Sequence, residues 1–348
     1  MGDETTGAVG TSTGPYQPAR PPLEAPPTPD PRSRADTAGR TTTSVPPDPL
    51  QEASMTLSMI ARHADTGHLA AAVHTGYLAV GQKVPWVQPG VGAVVTQAIT
   101  EASYGPRLLD LLRSGHHPEE ALAGLLAEDP LRESRQVALV DSAGRVAAHT
   151  GRDCIQSAGH VVGDAYVALA NMAETDGVWS VMGDAFDSAG GTLSQMLCSA
   201  LADGHAAGGD LRGSSSAAIL VAGCDPSLPA WDRLVDLRVD DHAEPVAELG
   251  RLIRLDTMYA LMGRGINAIY EGHGAEALSS LVAAADHDLG DDQARFWEAA
   301  ARLGHGDGEA AETIIEALTI TDRRWRVLWE RLRPTIPLSG SSPGQPTP

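Results

Sequence analysis

The sequence predicts an α+β protein in which two β-sheets are sandwiched between helical layers, followed by a small all-helical module. Three observations carry this. Between residues 56 and 240 the apolar pattern switches period in blocks, giving strands, two helices, strands, two helices and strands. From about residue 243 to 333 the two-residue period vanishes and only helical spacing remains. The chain has 348 residues, enough for two domains of roughly 150 residues each. With 42% hydrophobic but only 4% aromatic residues, its core must be built from Ala, Leu and Val.

The segment 1–54 stands outside the fold. Eleven of the 24 prolines lie before residue 50, and such a stretch buries too little apolar surface to offset its conformational entropy. Structure starts at Met55. Leu57, Met59 and Ala61 alternate along one strand, Asp65-Thr66-Gly67 turns the chain, and His68 to His74 returns as its hairpin partner. GVGAVVTQA is a third strand ending near Gln97. SYGPRLLDLLRSG reads as a helix. A second helix opens at Pro118, with Glu119 and Glu120 in the first turn where the helix dipole favours acids. RQVALVD and RVAAHTG are strands joined by a SAG turn, and GHVVGDAYVALAN supplies one or two more. Residues 174–206 read as two helices interrupted at Gly190-Gly191. SAAILVA and LVDLRVD close the first domain, 55–242, as strands. In the helical module, 243–333, Phe296 to Leu318 looks like one tetratricopeptide-type hairpin turning at Gly304 to Gly308. Residues 334–348 form a second loose tail.

Charge narrows the function. Lys and Arg total 25 against 45 acids, a formal charge of −20. That excludes the basic footprint of a nucleic-acid partner and a polybasic membrane anchor. No apolar run reaches the roughly 18 residues of a spanning helix, and no signal-peptide core opens the chain, so a cytoplasmic protein is expected. Cys154, Cys198 and Cys224 are scattered and odd in number, giving neither a disulfide frame nor a zinc site. Phosphate-loop, lipase-type serine, zinc-protease and dinucleotide motifs are all missing. DDHAEP and DHDLGDD lack the spacing of a calcium loop and read as solvated acidic turns. GDLRGSSSA resembles a phosphate loop but precedes a strand, so no helix dipole faces the anion. No cofactor and no metal is expected.

One ordered set of segments is more specific. TLSMIARHADTGHLAAAV after Met55, YLAVGQKVPWVQPGVGAVVTQA, SYGPRLLDLL, RESRQVALVD, GRVAAHTGRDC, SAGH, GHAAGGDLRGSSSAAILV and DLRVDDHAEPVAEL follow one another over roughly residues 55–250. Together they closely resemble a bacterial family without an established activity, the domain of unknown function 1028 family, placed in the Ntn-hydrolase superfamily. The resemblance implies the four-layer αββα fold, which agrees with the block order above, and longer relatives carry a similar helical extension.

It also implies a chemistry. An Ntn hydrolase attacks an amide carbonyl with the Thr, Ser or Cys that opens its mature chain, using its own α-amine as base. The resemblance puts Thr56 there, directly after Met55, with translation starting at Met55 or cleavage at Met55-Thr56. Thr56 as an ordinary strand residue is the plain alternative. His74, Thr96, Gln97, Asn171 and Ser216 are the accompanying oxyanion or substrate candidates. For each, a structural hydrogen bond is the competing reading. LAN and GSSSA replace the family's usual QGN and GRQSA, and Gly76 stands where relatives carry a basic residue. His160 of SAGH is expected to fix a turn. Two functions follow. One is an amidohydrolase acting on an amide or lactam-like C–N bond of a small molecule. The other is a non-catalytic scaffold, whose acidic helical module meets a protein partner or a second copy of the chain.

Overall fold

The computed structural model describes residues 56–210, 212–287 and 289–338. The expectations for 1–55 and 339–348 therefore lie outside the described residues, whereas the tail expected from 334 is ordered at its start, with Ile336 buried in the helical cluster. The order is β1 (Thr56–Arg62), β2 (Leu69–Thr75), β3 (Pro85–Gln88), β4 (Gly92–Ala98), α1 (Tyr104–Arg113), α2 (Pro118–Glu128), β5 (Arg135–Asp141), β6 (Val146–Thr150), β7 (Gly159–Gly163), β8 (Tyr166–Asn171), α3 (Val178–Ser188), α4 (Leu193–Ala206), β9 (Ser216–Ala222) and β10 (Val235–Val239). The helices α5 (Pro245–Glu271), α6 (Gly274–Ala285), α7 (Asp292–His305), α8 (Gly308–Thr321) and α9 (Arg324–Leu332) follow.

Local chemistry fixes these boundaries. Gly67, at φ 68°, closes the β1–β2 hairpin in a left-handed conformation that suits glycine. Pro118 opens α2, and Thr192 and Gln195 form a reciprocal capping box on α4. Asp291 caps α7, so part of the acidic DHDLGDD stretch satisfies a helix end.

All strand pairs are antiparallel. One sheet has the order β10-β9-β2-β1-β8-β7 and the other β3-β4-β5-β6. Side chains alternate across each strand, so parity decides which cluster a residue joins. Leu57, Met59 and Ala72 pack with Met182, Leu197 and Leu201 of α3 and α4. Ile60, Val73 and Leu169 have the opposite parity and meet Val95, Ala138 and Val140 of the second sheet. The outer residues of that sheet, Val94, Val137 and Leu139, pack against Leu108 and Leu112 of α1 and Leu122 of α2. Among the described residues of 245–332 the only regular elements are helices. Their cluster joins Met262, Leu281, Phe296, Ile315 and Trp329.

Two features were not read from the sequence. PWVQ forms a short edge strand, β3, too brief to show a period. Helix α5 is a single 27-residue helix that serves both parts. Its Val246, Leu249 and Ile253 belong to the cluster of α3 and α4, whereas Met258, Met262 and Ile269 belong to the helical cluster.

Candidate functional site

Polar residues gather where the two sheets face each other at the strand ends. Thr56 pairs with Thr75 on one side and Asn171 on the other. Thr56, Ser58 and Ile60 share a parity, as do Gln97 with Val95 and Gln136 with Ala138, so each polar group continues a row of inter-sheet apolar residues. Gln97 reaches from β4 to the facing sheet. Its Nε2 donates to the Thr56 carbonyl at 3.0 Å and to Gln136 Oε1 at 2.6 Å, and its Oε1 accepts from Ser58 Oγ at 2.6 Å. Gln136 Oε1 also accepts from Asn171 Nδ2 at 3.0 Å. Gln136 Nε2 is shared among Thr150 Oγ1, the Gly159 carbonyl and the Ala170 carbonyl at 2.9–3.1 Å. Thr150 Oγ1 lies 2.8 Å from His160 Nδ1. The Thr56 and Thr75 hydroxyls are 3.5 Å apart.

The backbone is unusual at this end. Ala98, directly after Gln97, has φ 66°, and Met172, directly after Asn171, has φ 52°. Left-handed non-glycine residues cost roughly 1–3 kcal/mol each and persist where the surroundings over-determine them. Here they follow the two amides that line the Thr56 end.

The structure brings Thr56, Gln97 and Asn171 together and turns others away. Thr96 has the opposite parity to Gln97, and its hydroxyl donates to the Glu101 carbonyl at 3.2 Å on the α1 side. His74 has the opposite parity to Thr75 and points toward α4. Ser216 sits across from Thr75 in the ladder, but its hydroxyl donates to the Tyr77 carbonyl at 2.6 Å and accepts from the Val80 N–H at 3.1 Å. His160 lies in β7 rather than in a turn. At Gly76 a Cβ would sit 2.8 Å from both Asp210 Oδ2 and the Gly213 carbonyl, so a side chain there would displace this loop. Asp210 accepts the Gly76 N–H at 2.6 Å and the Arg212 N–H at 2.8 Å, and pairs with the Arg212 guanidinium at 2.9 Å. The GDLRGSSSA loop is thus organised around its own carboxylate. Sequence reading missed Ser58 and Gln136. Their signal was parity, a polar residue aligned with the inward apolar row of its strand.

His74 is fully buried behind the sheet. Its Nε2 lies 2.6 Å from Ser214 Oγ, and its ring meets that of His205 edge-on at 4.9 Å. Burial is the main reason its pKa falls to about 4, and His205 adds to the fall while Asp210 opposes it. The native imidazole therefore stays neutral where the unfolded one, at an ordinary value near 6.5, takes up a proton. Stability should be full above about pH 6.5 and decline by about 3 kcal/mol on going down to pH 4. Urea unfolding between pH 7 and 5 checks this, since most carboxylates stay ionised there. His74→Gln should flatten the slope, and an unchanged slope would refute the assignment.

The protein so described is a mixed α/β protein of two antiparallel sheets with a buried amide-rich cluster between their strand ends and a helical C-terminal region. It belongs to the family of unknown function DUF1028, which matches residues 56–249. A crystal structure from that family, of a Silicibacter pomeroyi protein, is 32% identical, with a TM-score of 0.53 over 59% of this chain and 90% of that one. A structure of Anbu (ancestral beta-subunit) from Yersinia bercovieri is 14% identical, with a TM-score of 0.29 over 59% of this chain and 96% of that one. No curated protein matches the chain. Among the described residues, no helix is long and apolar enough to cross a membrane.

Proposed function

We propose that this protein is an amidohydrolase with Thr56 as its N-terminal nucleophile, cleaving an amide or lactam-like C–N bond of a small molecule. In this reading the sheets and helices form a four-layer αββα sandwich of Ntn-hydrolase type, and α7 with α8 is a tetratricopeptide-like hairpin. The observation that carries the reading is the seating of Thr56. It opens β1 with its carbonyl held by Gln97 from the facing sheet and its hydroxyl beside Thr75.

Once Thr56 begins the chain, its Oγ1 attacks the substrate carbonyl carbon and its proton passes to the α-amine. The C–N bond then breaks, and the leaving nitrogen takes that proton. Water hydrolyses the resulting ester and restores the hydroxyl. An unperturbed α-amine titrates near pH 7.7–8.0, so its basic form is accessible at neutral pH. Asn171 Nδ2 gives one hydrogen to Gln136 and keeps a second to offer a developing oxyanion.

The deciding experiment is the intact mass of the native protein, joined to hydrolysis assays on simple amides and lactams. A chain beginning at Thr56 should hydrolyse at least one of them. A chain with residues 1–55 attached should be inactive until cut. Equal activity of the two would refute the mechanism. Inactivity of both would favour a scaffold that meets partners through α5–α9.

A further inference from the structure

On the face of the six-stranded sheet away from Thr56, a cavity of about 660 Å³ lies between α4 and the first turns of α5. That size is typical of small-molecule sites. Cys198, Ala202, Val246, Gly250 and Ile253 give it an apolar wall. Cys198 meets Val246 and Gly250, while the His242 N–H, just before α5, donates to the Ser215 carbonyl beside Ser214. The end of α4 therefore adjoins the start of α5, and His205, Ser214 and Glu244 share one end of the cavity.

Charge marks the other end. Arg254 also lines the cavity, ten residues beyond Glu244, or about 15 Å along the helix. Its guanidinium folds back, with Nη1 3.8 Å from where a Cβ on Gly250 would sit. The axial rise from Gly250 back to Glu244 is about 9 Å. Arg251 nearby is bound to Glu248 at 2.8 Å, but neither Arg254 nor Glu244 forms an ion pair among the described residues. Beneath the Glu244 end, Ser214 Oγ is held by the buried His74, and the Nδ1 atoms of His74 and His205 are buried without partners. An unpaired cation and an unpaired anion thus bracket an apolar wall.

We propose that this cavity binds a small linear zwitterion, its carboxylate on Arg254, its ammonium on Glu244 and Ser214, and its apolar chain against Cys198, Val246 and Ile253. The site is separate from Thr56 and does not depend on the hydrolase reading.

The probe is 8-aminooctanoate, whose extended chain spans a comparable distance, titrated calorimetrically into the full chain beside octanoate and octylamine. It should bind up to about fivefold more tightly than either single-charge analogue, the range of one exposed ion pair. Arg254→Gln should erase its advantage over octylamine, and Glu244→Gln its advantage over octanoate. Gly250→Leu should weaken binding at least tenfold by placing a branched side chain on the apolar wall between the two charges. A Cβ there meets only Cys198 Sγ at 3.5 Å and Arg254 Nη1 at 3.8 Å, and leucine is a better helix former, so this variant keeps its fold. As an independent reading, bound 8-aminooctanoate should slow alkylation of Cys198, followed by peptide mass. The proposal is overturned if 8-aminooctanoate does not bind, if octanoate or octylamine binds as well, or if Gly250→Leu leaves binding intact.

Discussion

Thr56→Ala, in a chain that begins at residue 56, should lower amide hydrolysis by at least roughly 10³-fold, since it removes the attacking oxygen and leaves the rest of the cluster in place. The fold should survive. Gln97 binds the Thr56 carbonyl, which alanine retains. Thr56→Ser keeps both hydroxyl and amine and loses one methyl, so it should retain measurable turnover. One residue added before Thr56 should be as damaging as the alanine, because it converts the basic amine into an amide. Steady-state rates on one amide, with melting temperatures as a control, separate these outcomes. Full activity in Thr56→Ala would end the nucleophile reading.

Gln136→Leu should be the most destabilising single change in the inter-sheet cluster, at about 3–5 kcal/mol in urea unfolding at neutral pH. Leucine nearly matches glutamine in volume, so the loss is electrostatic rather than a cavity. The Gln136 oxygen accepts from Gln97 and Asn171, and its nitrogen serves Thr150 and two main-chain carbonyls, one each from β7 and β8. Replacing it leaves several buried polar groups facing methyls. A loss under about 1 kcal/mol would show that those groups find other partners.

These two residues also mark how far the sequence could be read. The start of β1 at Thr56 was legible because it opens an ordered set of family segments, and the antiparallel hairpin, Pro118 and the Gly190-Gly191 break were legible because their physics is local. Gln136 was hidden inside RQVALVD, where the run reads as a fully buried strand and its role depends on a partner 39 residues away. His74 and Thr96 misled in the opposite way. Each adjoins a residue of the inter-sheet cluster, yet the two-residue strand period sends each through the sheet to the helix side. The hydrogen bond that the Gly76 amide donates to Asp210 could not be foreseen, since a span of 134 residues separates them.

Helix α5 carries a further consequence. The family's match stops at residue 249, yet the helix runs on to Glu271 without a break. At 1.5 Å per residue it is a strut of about 40 Å whose two halves are gripped by different cores. No peptide hinge joins the sheet region to the helical one along this strut. Because the two cores share this helix, their unfolding should be coupled rather than independent. A protease should therefore find no favoured cut between Leu249 and Met258, and shortening the chain at the family's own limit would strip Ile253 from the core it helps complete.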